Sequence, residues 1–389
     1  MSTESSATGY VRRSDVSSRV VAAEGRHRDA GAIWTRGGVS GSRRYVVASP
    51  RPAVLPRVSV VIVTWNGLGL LERFLPSILA TDYPELEVVV ADNASTDGTA
   101  AWLAAHHPDV VVVRHPDNWL FARGNNAALP HATGELVCFL NNDVEVPPGW
   151  LSPLVEAVRA PDVVAVQPKL LQLDARDRFE YAGASGGYLD ATGIPFTRGR
   201  LFSTLEPDRG QYDDARDVFW ATGAALLVRR EAFEAAGGFD ESFGMHMEEI
   251  DLCWRMQRAG GRVRVEPASE VYHLGGASLP RGARKTYLNY RNGLAMLAKN
   301  LPDAHLRAVL RRRRVLDAAA AARALASGQR AEAAAIRDGW RDFRAWLPRL
   351  PRPQPDAPVV LPPYRGSVVV DYFARGRKTF ADLPPGRFR

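Results

Sequence analysis

The chain has 389 residues, 46% of them hydrophobic, and a net charge of +7, enough apolar material for one large core with appendages and too much for a wholly disordered or fibrous protein. Its two cysteines, Cys138 and Cys253, offer neither a disulfide framework nor a metal spacing, which fits a reducing compartment and two buried small hydrophobes. The charge is unevenly spread: residues 1–57 carry 10 basic and 4 acidic side chains, 58–279 carry 17 and 31, and 280–389 carry 23 and 8, so an acidic middle between basic ends argues against a nucleic-acid footprint across the main domain.

Residues 1–57, rich in Ser, Gly and Arg without a sustained period, predict a basic disordered tail ending at "SPRPAVLPR". The first residues lack the apolar core of a secretory leader, and no apolar run approaches the ~20 residues needed to span a bilayer, so the expected location is cytoplasmic, with any membrane contact at the surface. From Val58 the texture changes. "VSVVIVT" (58–64) predicts a buried strand, and Leu70, Leu71, Phe74, Leu75, Ile78 and Leu79 predict a helix. "LEVVVAD" (86–92) is a second strand, "DGTAAWLAAHH" (97–107) a second helix and "VVVV" (110–113) a third strand. "GNNAALPHA" reads as a short helix and "ELVCFLN" (135–141) as a fourth strand. Residues 170–220 predict loops and short strands, "FWATGAALLVRREAFEAAGGF" a strand and short helix, and Ala283 to Trp346 a helical region. No repeat of fixed period is evident.

Continuous apolar strands alternating with helices predict an α/β fold with a mostly parallel sheet covered on both faces. Ligands of such sheets bind beyond the carboxyl ends of the strands. The informative residues are therefore Thr64, Trp65 and Asn66, Asp92 and Asn93, and Asn141, Asn142 and Asp143. Each acid has two readings. Asp92 is a turn acid before a helix start, or a carboxylate for a nucleotide's ribose or base. Asp143 is a turn former ahead of Pro147 and Pro148, or a ligand for a hard divalent cation held with substrate phosphates. Glu248, Glu249 and Asp251 crowd one predicted first helical turn, where they favour the macrodipole, or repel until one carboxylate becomes a general base. On that helix Leu252, Met256 and Ala259 would face the core. His273 ends an apolar strand, as a structural histidine or a metal ligand.

From Val58 to Ser278 these pieces resemble the inverting family 2 glycosyltransferases of the GT-A fold, especially bacterial cell-wall rhamnosyltransferases. The resemblance rests on "VSVVIVTWN", "VVVADNASTDGT", "NWLFARGNNAAL", "FLNNDVEVPPGW", "ATGAALLVRREAFEAAGGFDESF", "EEIDLCWR" and "VYHLGGAS" in that order. It implies a Rossmann-like sheet at 58–280, a nucleoside diphosphate sugar donor (UDP or dTDP type), Mg²⁺ or Mn²⁺, and a single inverting displacement. By the same resemblance Thr64, Asn66, Asp92, Arg123, Asn126 and Asn142 line the donor site, with Asn125 nearby. Asp143 is the metal acid of an Asp-x-Asp signature whose first acid is here Asn141, and His273 fills the gap. Glu249 is the base, with Glu248 and Asp251 as alternatives, and Trp220, Thr222 and Gly223 build the sugar and acceptor pocket. Glu145 is expected to be a solvated turn residue.

The basic region 281–350, with "RRRR" at 311–314, suits an anionic membrane surface as well as a solvated face. It agrees with a saccharide or polyprenyl-linked acceptor in cell-wall or surface polysaccharide synthesis, and residues 351–389 are expected to form a late strand or strap. Two other functions stand beside this one. A sugar-phosphate nucleotidyltransferase would carry a Gly-rich, Arg-containing loop after the first strand, where this chain has "TWNGLGLLERF". A non-catalytic sugar-nucleotide or glycan-binding scaffold would lack the joint presence of Asp92, Asp143, Glu249 and His273.

Overall fold

A computed structural model describes residues 55–275, 282–354 and 356–389. The tail reading therefore lies outside the described residues up to residue 54, as does the "GAS" end of the "VYHLGGAS" motif. Leu55–Arg389 form one compact unit.

In chain order the elements are β1 (Val58–Thr64), α1 (Leu68–Leu79), β2 (Leu86–Asp92), α2 (Thr99–His106), β3 (Val111–Arg114), α3 (Leu120–Ala128), β4 (Leu136–Leu140), β5 (Val144–Glu145), α4 (Leu151–Val158) and β6 (Val163–Gln172). Short strands β7 (Gly187–Leu189), β8 (Pro195–Thr197), β9 (Arg200–Leu201), β10 (Thr204–Leu205) and β11 (Arg216–Val218) follow. Then come β12 (Ala225–Arg229), α5 (Arg230–Ala235), α6 (Glu248–Arg258), β13 (Arg262–His273), α7 (Ala283–Asn300), α8 (Asp303–Ala326), α9 (Arg330–Trp346) and α10 (Val368–Phe373).

The main sheet runs β11-β13-β6-β12-β4-β1-β2-β3, with β5 paired to β13. It is parallel through β3-β2-β1-β4 and between β6 and β13, and antiparallel where β12 lies between β4 and β6. The β1 side chains show why both faces are covered. Val58, Val60 and Ile62 pack into one core with Leu71, Leu75 and Leu103, and Val61 packs into the other with Ala122 and Phe139, the period-2 alternation of a strand buried on both sides.

The segment expected to be loops and short strands, 170–220, contains both, and its strands β7 to β10 form a second four-stranded sheet. The third helix begins at Leu120 rather than Gly124. Ala259, expected to face the core, is exposed, since it lies past the last turn of its helix.

Residues 351–354 and 356–389 form a strap with a short helix and, among the described residues, no long strand. Its Tyr364 backbone N–H donates to Leu189 O (3.2 Å) and its Val368 N–H to the Asp190 carboxylate (2.9 Å). The Trp254 indole on α6 donates to Val360 O (2.9 Å), so the strap is bolted to both the second sheet and α6.

Candidate active site

Three strand ends converge where β1, β2 and β4 stop. Thr64 is buried at the end of β1, and its hydroxyl accepts a hydrogen bond from Asn142 Nδ2 (2.9 Å). A Cβ at Gly67 would stand 2.1 Å from Thr64 Oγ1 and 2.8 Å from Asn142 Nδ2, so this crossing needs glycine. Asn66 has φ 48°. Its backbone N–H donates to Ser95 Oγ (2.8 Å), and its side-chain oxygen accepts from Thr96 N (2.7 Å). Asn66 thus ties the β1 end to the loop after β2; its amide oxygen is spent on the protein, and the neighbouring Trp65 is 56% exposed.

Asp92 is fully buried. One oxygen accepts from Ser95 N (3.0 Å); the other has no hydrogen bond and lies 3.5 Å from Arg114 Nε. A buried carboxylate oxygen left without a donor is costly unless something supplies one. Beside it a pocket of about 500 Å³ is lined by Ala94, Ser95, Thr96, Arg114, His115 and Pro116. Its wall continues in two contacts on one indole: His115 stacks on Trp119 (4.7 Å) and the Arg123 guanidinium lies over the same ring (3.9 Å). Arg123 is half-exposed at the rim and 3.7 Å from Glu241. Burial pushes the His115 imidazole below its ordinary value.

Asp143 and His273 meet. The β13 strand end is carried to β5 through His273–Val144 pairing, and Leu274 N–H donates to Asp143 O (3.0 Å). His273 Nε2 sits 3.0 Å from Asp143 Oδ1 and 3.4 Å from Asn141 Nδ2. On the far side, the buried Glu180 carboxylate is 3.3 Å from His273 Nδ1, within ion-pair reach though off the line of a hydrogen bond. Burial alone would lower the imidazole's pKa. The two carboxylates outweigh it and raise the group to about 10 in the metal-free protein.

These residues fit a divalent cation in part. Asp143 and His273 Nε2 converge as one oxygen and one nitrogen donor, and Glu180 behind Nδ1 holds the imidazole in the orientation a ligand needs. Among the described residues no group of three His, Cys, Asp or Glu side chains could hold a metal alone. A cation here would take its remaining ligands from a diphosphate and water. Glu145, expected to be solvated, pairs within β5 and binds Arg176 (2.7 Å).

The acidic turn at α6 separates into two environments. Glu248 is buried; Glu249 keeps some surface in the cleft; Oε2 of each is buried without a partner. Burial, then the charges of Glu249 and Asp251, push Glu248 well above the carboxylate range. Burial likewise pushes Glu249 up to about 7 against the backbone N–H groups of the helix start. Asp251, expected as an alternative base, is instead fully buried and accepts from Arg255 (2.8 Å), Lys299 (2.7 Å) and Asn300 (2.8 Å). Ahead of the helix, His246 and Met247 hold φ 69° and 75°, two non-glycine residues in a left-handed conformation that costs about 1–3 kcal/mol each.

Glu249 connects to the Asp143 pair through one segment. A Cβ at Gly223 would lie 3.7 Å from Glu249 Cβ and 3.1 Å from Phe121, and the next residue's carbonyl, Ala224 O, accepts from Asn141 N–H (3.0 Å). Thr222 is buried, its N–H bound to Gln167 Oε1 (3.0 Å). Trp220 belongs to the core instead of a pocket wall, with its indole N–H on Tyr188 O (2.9 Å). Asn126 is also structural: its amide bridges Phe239 N and O (3.0 and 2.8 Å). Asn125 turns back onto Phe121 O (2.9 Å).

Sequence reasoning missed His115, Glu180 and the α7 side chains that grip the α6 turn. His115 directly follows β3 and was findable as a strand-end residue. Glu180 lies in an irregular stretch with no period to flag it.

Residues 59–236 match the model of glycosyl transferase family 2. The chain is 36% identical over 247 residues to N-acetylglucosaminyl-diphospho-decaprenol L-rhamnosyltransferase of Mycobacterium tuberculosis, covering 57% of this chain and 76% of that protein. It is 34% identical over 229 residues to O-antigen biosynthesis protein RfbC of Myxococcus xanthus, of which it spans 18%. Among solved structures, GalNAc-T7 with UDP, GalNAc and Mn²⁺ superposes with a TM-score of 0.51 at 17% identity, covering 65% of this chain and 49% of that one. That likeness concerns the GT-A fold, and the sequence relationship adds the family. With ordered strand-end motifs, a mixed sheet ending at one polar cleft, and the rhamnosyltransferase match along most of that relative's length, the chain belongs to glycosyl transferase family 2.

Proposed function

We propose that this glycosyltransferase moves a sugar, with inversion, from a UDP- or dTDP-type nucleoside diphosphate donor to an acceptor hydroxyl in cell-wall or surface polysaccharide synthesis. The observation that carries the reading is the link from Asp143–His273 through Asn141 and Ala224 to Gly223 and Glu249. It brings a site for a diphosphate-bound cation and a carboxylate tuned near neutrality to one cleft. The mycobacterial relative's name makes rhamnose the first sugar to test and a polyprenyl-linked saccharide the first acceptor. Residues 58–280 carry the reaction in this reading, 281–350 brace it and present a basic surface, and 351–389 strap it.

The donor base and ribose enter the pocket beside Asp92, whose unpartnered oxygen accepts from their polar groups. Trp65 offers an exposed aromatic face at the same strand end. Thr64 and Asn142 shape the wall beneath the diphosphate, and Arg123 reaches toward it from its seat on Trp119. Asp143 and His273 hold Mg²⁺ or Mn²⁺, which when bound offsets charge growing on the departing diphosphate. Glu249 Oε accepts the acceptor hydroxyl's proton as that oxygen attacks the face of the sugar opposite the leaving group. Glu248, buried beside it, is also held well above the carboxylate range by burial and by the charges of Glu249 and Asp251.

A thermal-shift experiment tests the donor site. UDP or dTDP with Mn²⁺ at about 100 times Kd should stabilise the protein by ~2.7 kcal/mol, and Asp143→Ala should abolish the metal-dependent part. Equal stabilisation with and without metal would remove the cation from the reading.

The partner surface has its own test. On α8, Arg307, Arg311, Arg312 and Arg314 are exposed with no ion pair among the described residues, and Val315 and Leu325 are 69% and 58% exposed. Arg313 alone turns inward, onto Asp317 (3.2 Å). Each cation near an anionic bilayer contributes about 1 kcal/mol. Binding to phosphatidylserine vesicles should fall with salt and disappear when Arg307, Arg311 and Arg314 become Glu; vesicle binding indifferent to both changes would exclude an electrostatic membrane role for α8.

A further inference from the structure

The buried groups on α7 are not accounted for by the reaction. Asn292 is fully buried and is aimed at the loop that enters α6. Its Nδ2 lies 3.0 Å from Phe243 O, 2.9 Å from Met245 O and 2.8 Å from His246 O. An amide nitrogen has two hydrogens, so three carbonyls share them. The amide's orientation is set from its other end, where Oδ1 accepts from Arg291 Nε (2.8 Å). Arg291 itself reaches Phe243 O (3.2 Å) and lies over the Trp346 ring (5.1 Å).

The gripped carbonyls belong to a segment whose backbone is unfavourable alone. Gly244, His246 and Met247 all have φ near 70°, and only the first is glycine. Such a conformation persists where the surroundings over-determine it. Turning three carbonyls toward one point is what a single buried amide donor rewards. Met247 is the residue from which α6 starts, with Asp251 N–H on its carbonyl (2.9 Å). Glu248 and Glu249 come next. The loop's last angles therefore set where the two carboxyls point.

We infer that Asn292 is a positioning residue for the transfer reaction: by collecting the carbonyls of Phe243, Met245 and His246 it holds the left-handed turn that aims Glu249 into the cleft. The inference rests on the reading of Glu249 as base. It adds that α7, outside the stretch matched by the family model, is part of the catalytic apparatus. Lys299 and Asn300, farther along α7, anchor the same helix through Asp251, so α7 grips the acid turn from both ends, with Asn292 on the carbonyls of Met245 and His246.

Two measurements on the full-length chain test this. In Asn292→Ala, hydrogen exchange of the amides of residues 245–251 should speed up by about tenfold or more, with the β-sheet amides unchanged. Steady-state transfer from a panel of UDP-, dTDP- and GDP-sugars with Mn²⁺ should show kcat down by about 10–100-fold, the loss expected of a reacting group misplaced by about 1 Å. KM for the donor should hold within a few-fold, since the donor pocket lies on other elements. The acid limb of the kcat–pH profile should move, because the environment of Glu249 changes with its position. Asn292→Ser, which keeps one donor on a shorter arm, should fall between wild type and Asn292→Ala, and it replaces the alanine variant if that one does not fold.

Unchanged exchange in 245–251 would overturn the clamp. Faster exchange with wild-type kcat and pH profile would overturn its tie to the reaction. A wild-type enzyme that turns over no donor would instead count against the transferase chemistry, and the exchange experiment would still decide the clamp.

Discussion

Glu249→Gln is expected to lower kcat by about 10²–10⁴-fold, the contribution typical of a positioned general base, while the metal-dependent thermal shift by nucleoside diphosphate stays as in wild type. Gln keeps the shape of the side chain and loses only the ability to take a proton. Glu248→Gln, at a carboxyl buried more deeply and turned away from solvent, should cost far less; a reversal of the two effects would exchange their roles. In the wild type, activity should rise with pH through about 7, where Glu249 loses its proton. A profile flat between pH 5 and 8 would remove Glu249 as the base.

The same raised pKa has a consequence for stability. An acid whose folded pKa exceeds its unfolded value near 4.5 binds more protons in the folded state between those values. Folding stability therefore falls as pH rises from about 4.5 to about 7. Glu249→Gln removes that penalty and should raise Tm at pH 8, a stability gain at a functional site of the kind expected when buried carboxylates are kept for chemistry.

Asp251→Ala is expected to destabilise the protein by about 3–5 kcal/mol, because it leaves Lys299 buried without its partner. Lys299 Nζ lies 2.7 Å from Asp251, and its other contact, Asp240, lies 2.5 Å away. Burial would raise the Asp240 pKa, but Lys299 and the Ser242 hydrogen bonds outweigh it and hold that carboxyl low. Asp240 remains charged in the variant and retains part of the Lys299 interaction, which places the cost toward the lower end. Chemical denaturation should show the loss as a lower midpoint with an unchanged slope. A change below about 1 kcal/mol would mean that the network is solvated.

The difference between Glu249 and Asp251 shows where sequence reading stops. Both acids sit in one predicted helical turn, and both look equally suited to proton transfer. A rotation of about 100° per residue points one at the cleft and the other at α7, and nothing in "EEIDLCWR" says what packs on each side. Asn126 and Trp220 have the same history. Their motifs place them near the cleft in the chain, while the amide closes onto Phe239 and the indole onto Tyr188. A motif locates backbone; the side chain's direction depends on neighbours from distant segments.

The sheet was far more legible. Val58–Thr64 and Leu86–Asp92 were readable to the residue because continuous β-branched runs have one good burial, between two helical layers. Strand ends were equally clear, since polar residues interrupt those runs where the chain leaves the sheet. The second sheet was not, because strands of two or three residues carry too few side chains to show alternation.

By itself, the sequence determined the α/β alternation, the strand ends that bear Thr64, Asp92 and Asp143, and the family. These are local properties: hydrophobic period and turn chemistry act over a few residues. Only the tertiary structure set the 3.0 Å contact between His273 and Asp143, which the resemblance implied as one metal site, and decided that Glu180 stands behind it, that Asp251 is spent on Lys299, and that α7 holds the acid turn. Such pairings depend on which elements the whole core brings together, and a buried polar group reveals its task only by the partner that satisfies it.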